Sequence, residues 1–480
     1  MIYLNPESKK PLYQQLYEQL KQNIVTGEYE KGSRLTSTRD LAKNLSIARN
    51  TVEAAYDQLC IEGYVEGRHG SGYVVQDLQE DLLHFPGVMS DADEVRYLPA
   101  VVMAPEPDEP APALRRPVKY NFSYGDFDPH SFPHALWRRL NNEVLTSMKV
   151  DSIAYYGDKQ GELQLRRELA KYLRQSRGVK CSPEQIVVGA GLQDLAMMIC
   201  LLFPLEERIL GMEEPGYDFT RVIFGNHGYQ VLPIPVGESG IDPSALKRSG
   251  ARLAYVTPSH QLPTGVVMPI QHRMRLLQWA EQCGGVIIED DYDSEFRYRT
   301  RPIPALQSID RQERVIYLGT FSKAFAPGLR MGYMVLPQWL LSRYHTVFER
   351  YKCAVPRLQQ YVAASLLSGG HWDRHLRKVC LVNKKKHEVL VQSIQREMGE
   401  RVRIYGQNAG LHVLLEYFTG ESQEAMVERA AAYQVKVSPT RQFWQNPEAA
   451  PENLIMIGFG GLSAEEIAEG IKLLSRAWFG

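Results

Sequence analysis

Short apolar runs alternate with helical stretches through most of this 480-residue chain, and the alternation limits the fold more than any other feature. Five such runs lie between residues 186 and 319: IVVG (186–189), RIL (208–210), LAYVT (253–257), VIIED (286–290) and VIYLG (315–319). Runs of this length are typical of buried strands, and strands separated by helices build β-α-β units. The pattern predicts an α/β fold with a mostly parallel sheet and helices on both faces.

The pattern changes near residue 372, where a long basic helix is predicted to begin. Strands are predicted near 410–416 and 454–458. Ser463 and Glu466 have the spacing of a capping box for a final helix over 463–478. The segment 372–480 is therefore predicted to form a smaller α+β lobe.

A proline-rich stretch separates this body from the first residues of the chain. Acidic clusters precede the run APEPDEPAPALRRP, which contains prolines at positions 105, 107, 110, 112 and 117. Proline at this density favours extended polyproline II structure, and about forty such residues would be unusual inside a compact domain. The chain is predicted to contain an N-terminal domain (1–75), a linker (76–118) and a body (119–480).

The N-terminal domain shows three helical periodicities followed by a hairpin. Apolar residues recur on one face from residue 12 to 24, RDLAKNL follows a cap at Ser37 or Thr38, and Ser46 is predicted to cap a third helix over about 49–62. GYVEGRHGSGYVV then forms two alternating strands. Three helices and a β-wing make the winged helix-turn-helix arrangement, whose third helix enters a DNA major groove.

Basic and polar side chains cluster around this third helix. The start of the helix can reach base edges, whereas the second helix and the wing contact the DNA backbone. The predicted DNA-binding residues are Arg39, Arg49, Asn50, Thr51 and Arg68. The alternative is a protein-interaction module, and the charge of 1–75, nine basic against nine acidic residues, does not decide between the two. The run PLYQQLYEQLKQNIVTGEYEKGSRLTSTRDLAKNLSIARNTVEAAYDQLCIEGYV resembles the GntR-type winged helix, which implies a double-stranded DNA operator as partner.

Composition argues against several protein classes. The 55 Lys and Arg against 56 Asp and Glu leave a net charge of −1, which argues against a polybasic protein. The most apolar stretch, AMMICLLFPL (196–205), is far shorter than the ~20 residues that span a bilayer, and MIYLNPESKK does not resemble a secretory signal. The six cysteines lack metal-ligand spacing and fit reduced thiols. We expect a cytoplasmic protein with no membrane partner and no metal site.

A glycine turn at 189–191 follows a predicted strand and precedes a helix that starts near Leu192. Glycines let the backbone approach a ligand, and a helix N-terminus offers N–H groups to a phosphate. A purely structural β-α turn uses the same glycines, so this motif is weak by itself.

The run EDDYDSEF ends another predicted strand. A carboxylate buried at such a strand end needs a partner, and a pyridinium N–H is one. Asp290 is the predicted partner, with Tyr292 close enough to offer its phenol to a ring hydroxyl. A helix-capping acid and a Mg²⁺ ligand are the alternatives.

A lysine among hydroxyls and an arginine follows the next strand, in GTFSKAFAPGLRMGYMVL. Partial burial lowers the pKa of a lysine and makes its amine nucleophilic toward an aldehyde. Thr320, Ser322 and Arg330 would hold a phosphate dianion beside Lys323. A phosphate cradle, a pyridinium partner, a phenol and a reactive lysine together indicate pyridoxal 5′-phosphate (PLP).

Residues 120–480 resemble a fold-type I, aspartate-aminotransferase-like domain, and the whole chain resembles the MocR/GabR subfamily of GntR regulators. The matching runs are VVGAGLQDL, MEEPGYDF, VTPSHQLPTGVVMP, VIIEDDYDSEFRY, YLGTFSKAFAPGLRMGYMVLP, NAGLH and IGFGGLS. The resemblance implies an internal aldimine on Lys323, a pyridine-nitrogen contact from Asp290 and a ring-oxygen contact from Tyr292. It also implies that Tyr217 covers a ring face. The implied phosphate ligands are Gly191, Leu192, Gln193, Ser322 and Arg330.

The resemblance further implies a head-to-tail, domain-swapped homodimer, in which Tyr155 and Tyr156 reach the partner's site. Members that sense a γ-amino acid carry two arginines for its carboxylate, at positions that are Phe219 and Gly461 here. Aminotransferases also carry an asparagine where this chain has Leu262.

These departures favour a transcriptional regulator over an active aminotransferase with an appended DNA-binding domain, and both hypotheses stay open. The effector would be PLP itself or a small amino acid such as D-alanine, with Arg441 or Arg357 as candidate carboxylate ligands.

Overall fold

The structure is a computed structural model, and it describes residues 2, 4–5, 10–68, 72–76, 118–149, 154–298 and 304–480. The chain divides into two compact units, residues 1–111 and 112–480, and each is described by itself. Apart from its two end residues, the predicted linker 76–118 lies outside the described residues.

The N-terminal unit contains the predicted three helices and hairpin. Its elements are α1 (Leu12–Val25), α2 (Thr38–Leu45), α3 (Arg49–Ile61), β1 (Val65–Arg68) and β2 (Gly72–Val75). Their apolar faces meet in one core, to which Leu16, Leu20 and Tyr56 contribute fully buried side chains. The order of elements confirms the winged-helix prediction.

The helix caps differ from the prediction at one position. The Ser37 hydroxyl accepts a hydrogen bond from the Asp40 amide (3.1 Å), so Ser37 caps α2 as expected. Ser46 does not cap α3. It ends α2 in the left-handed region, with φ 54°, and α3 begins after Ala48 without a side-chain cap. The error arises because a serine between two helices fits either end.

The second unit contains the remaining elements of the chain. Its helices are α4 (His134–Ser147), α5 (Leu163–Arg177), α6 (Leu192–Leu202), α7 (Asp218–Asn226), α8 (Pro243–Ser249), α9 (Ile270–Cys283), α10 (Leu306–Ile309), α11 (Gln338–Val347), α12 (Arg357–Ser368), α13 (His371–Met398), α14 (Gln423–Ala432) and α15 (Ala464–Phe479). Its strands are β3 (Tyr120–Asn121), β4 (Ile186–Gly189), β5 (Ile209–Glu214), β6 (Gln230–Gly237), β7 (Gly240–Ile241), β8 (Leu253–Val256), β9 (Val286–Asp291), β10 (Val315–Thr320), β11 (Gly332–Val335), β12 (Val402–Tyr405), β13 (His412–Tyr417), β14 (Val435–Lys436), β15 (Ser438–Pro439) and β16 (Leu454–Gly458).

The large sheet has eight strands in the order β4-β11-β10-β9-β8-β5-β6-β7. The five central strands, from β10 to β6, are parallel as predicted. The sheet is mixed at its ends, because β11 is antiparallel to both β10 and β4, and β7 is antiparallel to β6. A parallel pair needs a crossover of a dozen or more residues, usually with an α-helix, and the short Lys323 segment between β10 and β11 contains only a 3₁₀ turn, Pro327–Leu329.

Helices cover both faces of this sheet. Neighbouring residues of β9 enter different cores: Ile288 packs with Ile199 of α6, and Ile287 packs with Trp279 of α9 and Leu246 of α8. Side chains that alternate between two buried faces are expected of a strand in a parallel α/β sheet. The helices therefore leave only the strand ends open for a ligand.

The C-terminal lobe contains an antiparallel sheet in the order β12-β13-β16-β15, together with α13, α14 and α15. The predicted capping box at the start of α15 is present, since Ser463 and Glu466 exchange bonds of 2.8 and 3.2 Å. The body's first strand, β3, pairs in parallel with β14 of this lobe. Local sequence patterns carry no signal for that long-range pairing.

No helix within the described residues combines the length and the apolar character needed to cross a membrane. All six cysteines are free thiols.

Candidate functional site

A cavity of about 310 Å³ opens where β9 and β10 end. Ligands bind at the carboxyl ends of strands in open α/β sheets. The cavity brings together most of the side chains that the sequence singled out. The predicted residues that line it are Leu192, Gln193, Tyr217, Asp290, Tyr292, Thr320, Ser322, Lys323 and Arg330.

Gly191, the remaining predicted cofactor residue, is the N-cap of α6 at the edge of this cavity. Its backbone (φ 86°, ψ −177°) lies in a region that essentially only glycine adopts. A Cβ at this position would also lie 3.3 Å from the guanidinium carbon of Arg330. Glycine is therefore required twice, once for the turn and once to let Arg330 approach the helix start.

Arg330 lies over the N-terminus of α6. Its Nη2 donates to the Ala190 carbonyl (3.4 Å) and to the Gln193 amide oxygen (3.2 Å). The first turn of a helix presents N–H groups without helical partners. With the guanidinium above them and the Ser322 and Thr320 side chains on the same cavity wall, these groups form a cradle suited to a phosphate dianion.

The three acids that end β9 have three different partners. Glu289 accepts from the Leu306 and Gln307 amides, at 2.7 and 2.9 Å, and so caps α10. Asp291 pairs with Arg177, whose Nε lies 2.7 Å away. Strand alternation directs Glu289 and Asp291 away from the face on which Asp290 enters the cavity. This division singles out Asp290 as the acid available to a ligand.

Asp290 is buried, and none of the described residues forms an ion pair with it. Burial raises the pKa of its carboxyl to about 7, and the Tyr255 hydroxyl opposes the rise by donating to Oδ2 at 2.5 Å. A carboxyl in this state gains from any ligand that offers it a cationic N–H. Sequence reasoning missed Tyr255, because a tyrosine in the buried run LAYV is indistinguishable from core.

Three tyrosines surround the space in front of Asp290. Tyr217 and Tyr292 line the cavity as predicted, and burial raises the pKa of Tyr217 to about 12. The Tyr292 hydroxyl donates to the His260 carbonyl oxygen (2.7 Å), which leaves the lone pairs of the phenol oxygen to accept from a ring hydroxyl. Tyr124 is a third member that the sequence did not reveal.

The Lys323 amine lies 4.2 Å from the centre of the Tyr124 ring. Burial lowers the pKa of this amine, and Asp293, Asp290 and Asp126 oppose the shift. A lowered pKa enlarges the neutral fraction of the amine, which is the form that attacks an aldehyde. Lys323 therefore has the environment of a reactive lysine.

The positions that depart from the aminotransferase pattern also have defined surroundings. Leu262 and Phe219 both line the cavity, and a Cβ at Gly461 would lie 2.8 Å from that of Asp126. The two suggested substitute arginines lie elsewhere. Arg357 pairs with Glu162 (2.7 Å), Arg441 pairs with Glu424 (3.1 Å) and Glu452, and neither lines the cavity.

The N-terminal unit presents the predicted DNA-binding residues on α2, α3 and the wing. Arg39, Arg49 and Asn50 are exposed, and Thr51 is half-buried. Arg49 forms a surface ion pair with Glu53 (2.8 Å), a pair of a kind that contributes little to stability and leaves the arginine available. Arg68 ends β1, but its side chain lies outside the described residues.

Comparison with known proteins agrees with both halves of this description. Residues 118–473 match the model of the family aminotransferase class I and II, and residues 12–75 match that of bacterial regulatory proteins, gntR family. The HTH-type transcriptional regulator YdeL of Bacillus subtilis is 38% identical over 489 residues, which cover 99% of this chain and 98% of YdeL.

Two further proteins, a regulator and an aminotransferase, are similar to this chain. The probable rhizopine catabolism regulatory protein MocR of Rhizobium meliloti is 33% identical over 480 residues, covering 100% of this chain and 96% of MocR. The kynurenine aminotransferase of Pyrococcus horikoshii, solved in complex with PMP, is similar with a TM-score of 0.68 and 25% identity, over 75% of this chain and 90% of the enzyme. The chain therefore belongs to the MocR/GabR-type family of HTH transcriptional regulators, in which a GntR-family DNA-binding domain precedes an aminotransferase class I and II domain.

Proposed function

We propose that this protein is a PLP-dependent transcriptional regulator whose aminotransferase-like domain senses PLP or a small amino acid, D-alanine among the candidates, at Lys323. The winged helix binds double-stranded DNA, and the effector changes the affinity for that DNA. Binding of the effector at the site is not sufficient by itself. The effector changes the affinity for DNA only if it binds the DNA-binding and the non-binding conformations of the protein with different affinities.

The described residues fit the cofactor at each of its functional groups. The start of α6 with Arg330 suits the phosphate, Asp290 suits the pyridine nitrogen, and Tyr217 suits a ring face. PLP supplies an aldehyde that condenses with an amine and a ring that withdraws electrons from the resulting bond. PMP, which is bound in the related Pyrococcus enzyme, is the amine form of the same cofactor.

The distribution of arginines argues against an efficient aminotransferase and, because D-alanine also carries a carboxylate, favours PLP over an amino acid as the effector. Among the described residues that line the cavity, Arg330 is the only arginine, and it lies over the phosphate cradle. A substrate carboxylate would then lack a bidentate partner, which costs several kcal/mol of binding in a dry pocket, roughly 1–3 kcal/mol for each unpaired group. Leu262 adds an apolar wall where aminotransferases place an amide. An aminotransferase with an appended DNA-binding domain is the alternative function.

An effector titration distinguishes these functions. PLP-loaded protein is titrated with D- and L-amino acids and GABA while visible absorbance, keto acid and DNA mobility are recorded. A sensor is expected to show a saturable spectral change and altered DNA mobility without stoichiometric keto acid. Release of one keto acid per site would identify an aminotransferase instead. If no compound changes the spectrum but loading with PLP changes DNA mobility, PLP is the effector.

Arg49→Ala is expected to weaken operator binding by about 1–3 kcal/mol if Arg49 reads a base edge. Arg49 is exposed at the first turn of α3, and its pair with Glu53 is too weak for its loss to affect the fold. The measurement is a gel-shift titration at fixed salt with operator and with unrelated DNA. Lys10→Ala, which also removes one surface cation but lies before α1, is the matched control. An equal loss on both DNAs would assign Arg49 to the backbone rather than to a base.

The head-to-tail homodimer is supported by the exposure of two tyrosines. Tyr155 and Tyr156 are 71% and 82% exposed, which is unusual for aromatic side chains that no partner covers. In the proposed dimer each pair reaches the cofactor site of the partner. Sedimentation of Tyr155→Ser and Tyr156→Ser against the parent chain tests this assembly.

A further inference from the structure

Three side chains form a buried polar cluster next to the cavity. His260, Asp293 and His412 are each 1% exposed. Nδ1 of His260 lies 2.8 Å from Oδ2 of Asp293, and Nε2 of His412 lies 3.0 Å from the Pro263 carbonyl oxygen. The two imidazole rings are 4.9 Å apart. Neither the proposed cofactor contacts nor the DNA-binding residues use this cluster.

The hydrogen bonds determine the charge of the cluster. A carbonyl oxygen only accepts, so His412 donates from Nε2 and its Nδ1 is bare. His260 donates from Nδ1 to Asp293. Among the described residues, no hydrogen-bond partner faces Nε2 of His260 or Nδ1 of His412. A second proton on His412 would bury an N–H without an acceptor, and burial lowers the pKa of this ring well below its ordinary value, so His412 is neutral and Asp293 is the acidic group of the cluster.

The surroundings of the cluster are closely packed. A Cβ at Gly410 would overlap the His260 ring, and one at Gly265 would lie 3.3 Å from its bare nitrogen. One possible ligand atom from each of the three residues lies within 4.8 Å of the others, so a metal ion is the alternative that the chelator test below addresses. Close packing against Gly265 and Gly410 holds the His260 ring in place beside Asp293.

The cluster is linked to the reactive lysine through two cavity residues. The Tyr124 ring lies edge-to-face against His412, with centroids 4.9 Å apart, and the Lys323 amine lies 4.2 Å from the centre of the same ring. On the other side, Tyr292 donates to the His260 carbonyl oxygen. A carboxylate buried at this depth requires a compensating cation.

We propose that Asp293, held in place by His260, is the buried counter-charge of Lys323 and so sets the pH at which the lysine amine loses its proton. The inference deepens the proposed function, since it rests on Lys323 being the reactive amine. Asp293 is a positioning residue, because it acts on Lys323 through the wall formed by Tyr124 and Tyr292 rather than on a ligand.

The other charges near the two groups do not replace this one. Asp290 and Asp126 also act on Lys323, and Arg330 lines the same cavity. Near Asp293 lies Arg297, which donates to the Ser259 carbonyl and stays protonated at all accessible pH, so its charge is constant through the titration. Burial raises the pKa of Tyr124 and Tyr292 far above 10, so both phenols stay neutral.

The test measures the amine itself in the cofactor-free full chain. Lys323 is trace-labelled with acetic anhydride across a pH series, and the peptide that contains it is quantified by mass spectrometry. Asp293→Asn is expected to lower the midpoint of labelling by about one pH unit or more, because it removes a negative charge from a low-dielectric site. Since no cofactor is present, this result does not depend on whether PLP is the sensed ligand.

The control is Glu295→Gln, which removes a carboxyl group two residues away that accepts from Tyr172 (3.2 Å) and lies outside the cavity lining. Its midpoint is expected to stay within about 0.3 pH units of the parent value, because a more distant charge acts weakly. Equal shifts in both variants, or no shift in Asp293→Asn, would overturn the proposal.

A second pair of variants covers the case in which Asp293→Asn does not fold. His260→Asn keeps a donor near the position of Nδ1 and is expected to leave the midpoint unchanged, whereas His260→Leu removes the donor and is expected to lower it. Identical midpoints in these two variants would contradict the counter-charge. Dialysis against a chelator is expected to change nothing, and a shifted midpoint would assign the cluster to a bound metal ion instead.

Discussion

Lys323→Ala is expected to abolish the visible absorbance of PLP-loaded protein while the chain stays folded. In the proposed function the Lys323 amine is the nucleophile in the cavity, so its loss removes the covalent link to the cofactor. The amine makes a cation–π contact with Tyr124, worth about 0.5–2 kcal/mol, and the change also removes a lysine that is costly to bury. Absorbance spectra and thermal unfolding of the same samples measure both effects.

The matched control is Lys171→Ala, because Lys171 is exposed on α5 and pairs only at the surface with Glu168. The control is expected to keep the parent spectrum. Borohydride reduction before peptide mapping should fix the cofactor on Lys323 in the parent chain and nowhere in the variant. Retained colour with the cofactor mapped to another lysine would overturn the assignment.

Arg177→Leu is expected to destabilise the body by about 3–5 kcal/mol, because it leaves the buried carboxylate of Asp291 without its cation. Both side chains are almost fully buried, and Arg177 also donates to the Ser259 hydroxyl (2.7 Å). The Tyr317 hydroxyl, which donates to Asp291 at 2.6 Å, cannot replace a charge.

Tryptophan fluorescence during urea unfolding measures this effect selectively, since all six tryptophans lie between residues 137 and 478. Arg174→Leu, an exposed change in the same helix, is the control and should stay within about 0.5 kcal/mol of the parent chain. A loss of less than about 1 kcal/mol for Arg177→Leu would show that the pair contributes nothing beyond ordinary packing.

The free energy of unfolding that the Arg177–Asp291 pair contributes depends on pH in one definite direction. Burial alone would raise the pKa of Asp291, but Arg177 and the Tyr317 hydroxyl lower it below its usual value. A carboxyl whose pKa is depressed by folding stabilises the folded state above the unfolded-state pKa, about 3.9 for aspartate. The stabilisation is therefore complete at neutral pH and is lost only as the pH falls below about 4.

Much of the fold could be predicted because its signals are local. The runs that became β8, β9 and β10 are continuous and apolar, and the capping box at Ser463 is a fixed four-residue spacing. The antiparallel strand β11 could not be predicted, because strand direction depends on the connection rather than on the strand's own residues. The role of Ser46 was ambiguous because helices lie on both sides of it, and a serine in that position can end one helix or begin the next.

The residues of the candidate site likewise fall into those that the sequence revealed and those that only the structure revealed. The positions of Asp290 and Lys323 at the cavity were predictable because each lies at or just after the end of a strand and carries a chemistry that is unusual there. Tyr255 and Tyr124 were not, since Tyr255 lies in an ordinary apolar run and Tyr124 belongs to no motif, and only the packing of distant segments brings them to Asp290 and to Lys323. The partner of Asp291, Arg177, likewise lies on α5, more than a hundred residues earlier.

The pairing of β3 with β14 has a consequence for how force passes along the chain. The amides of Lys119 and Tyr120 both donate to the Gln434 carbonyl oxygen, at 2.9 and 3.1 Å, and the Phe122 amide donates to the Lys436 carbonyl. The first described residues after the predicted linker are therefore hydrogen-bonded to the C-terminal lobe and not to the large sheet. A displacement of that lobe would therefore move the residues at which the chain enters the body.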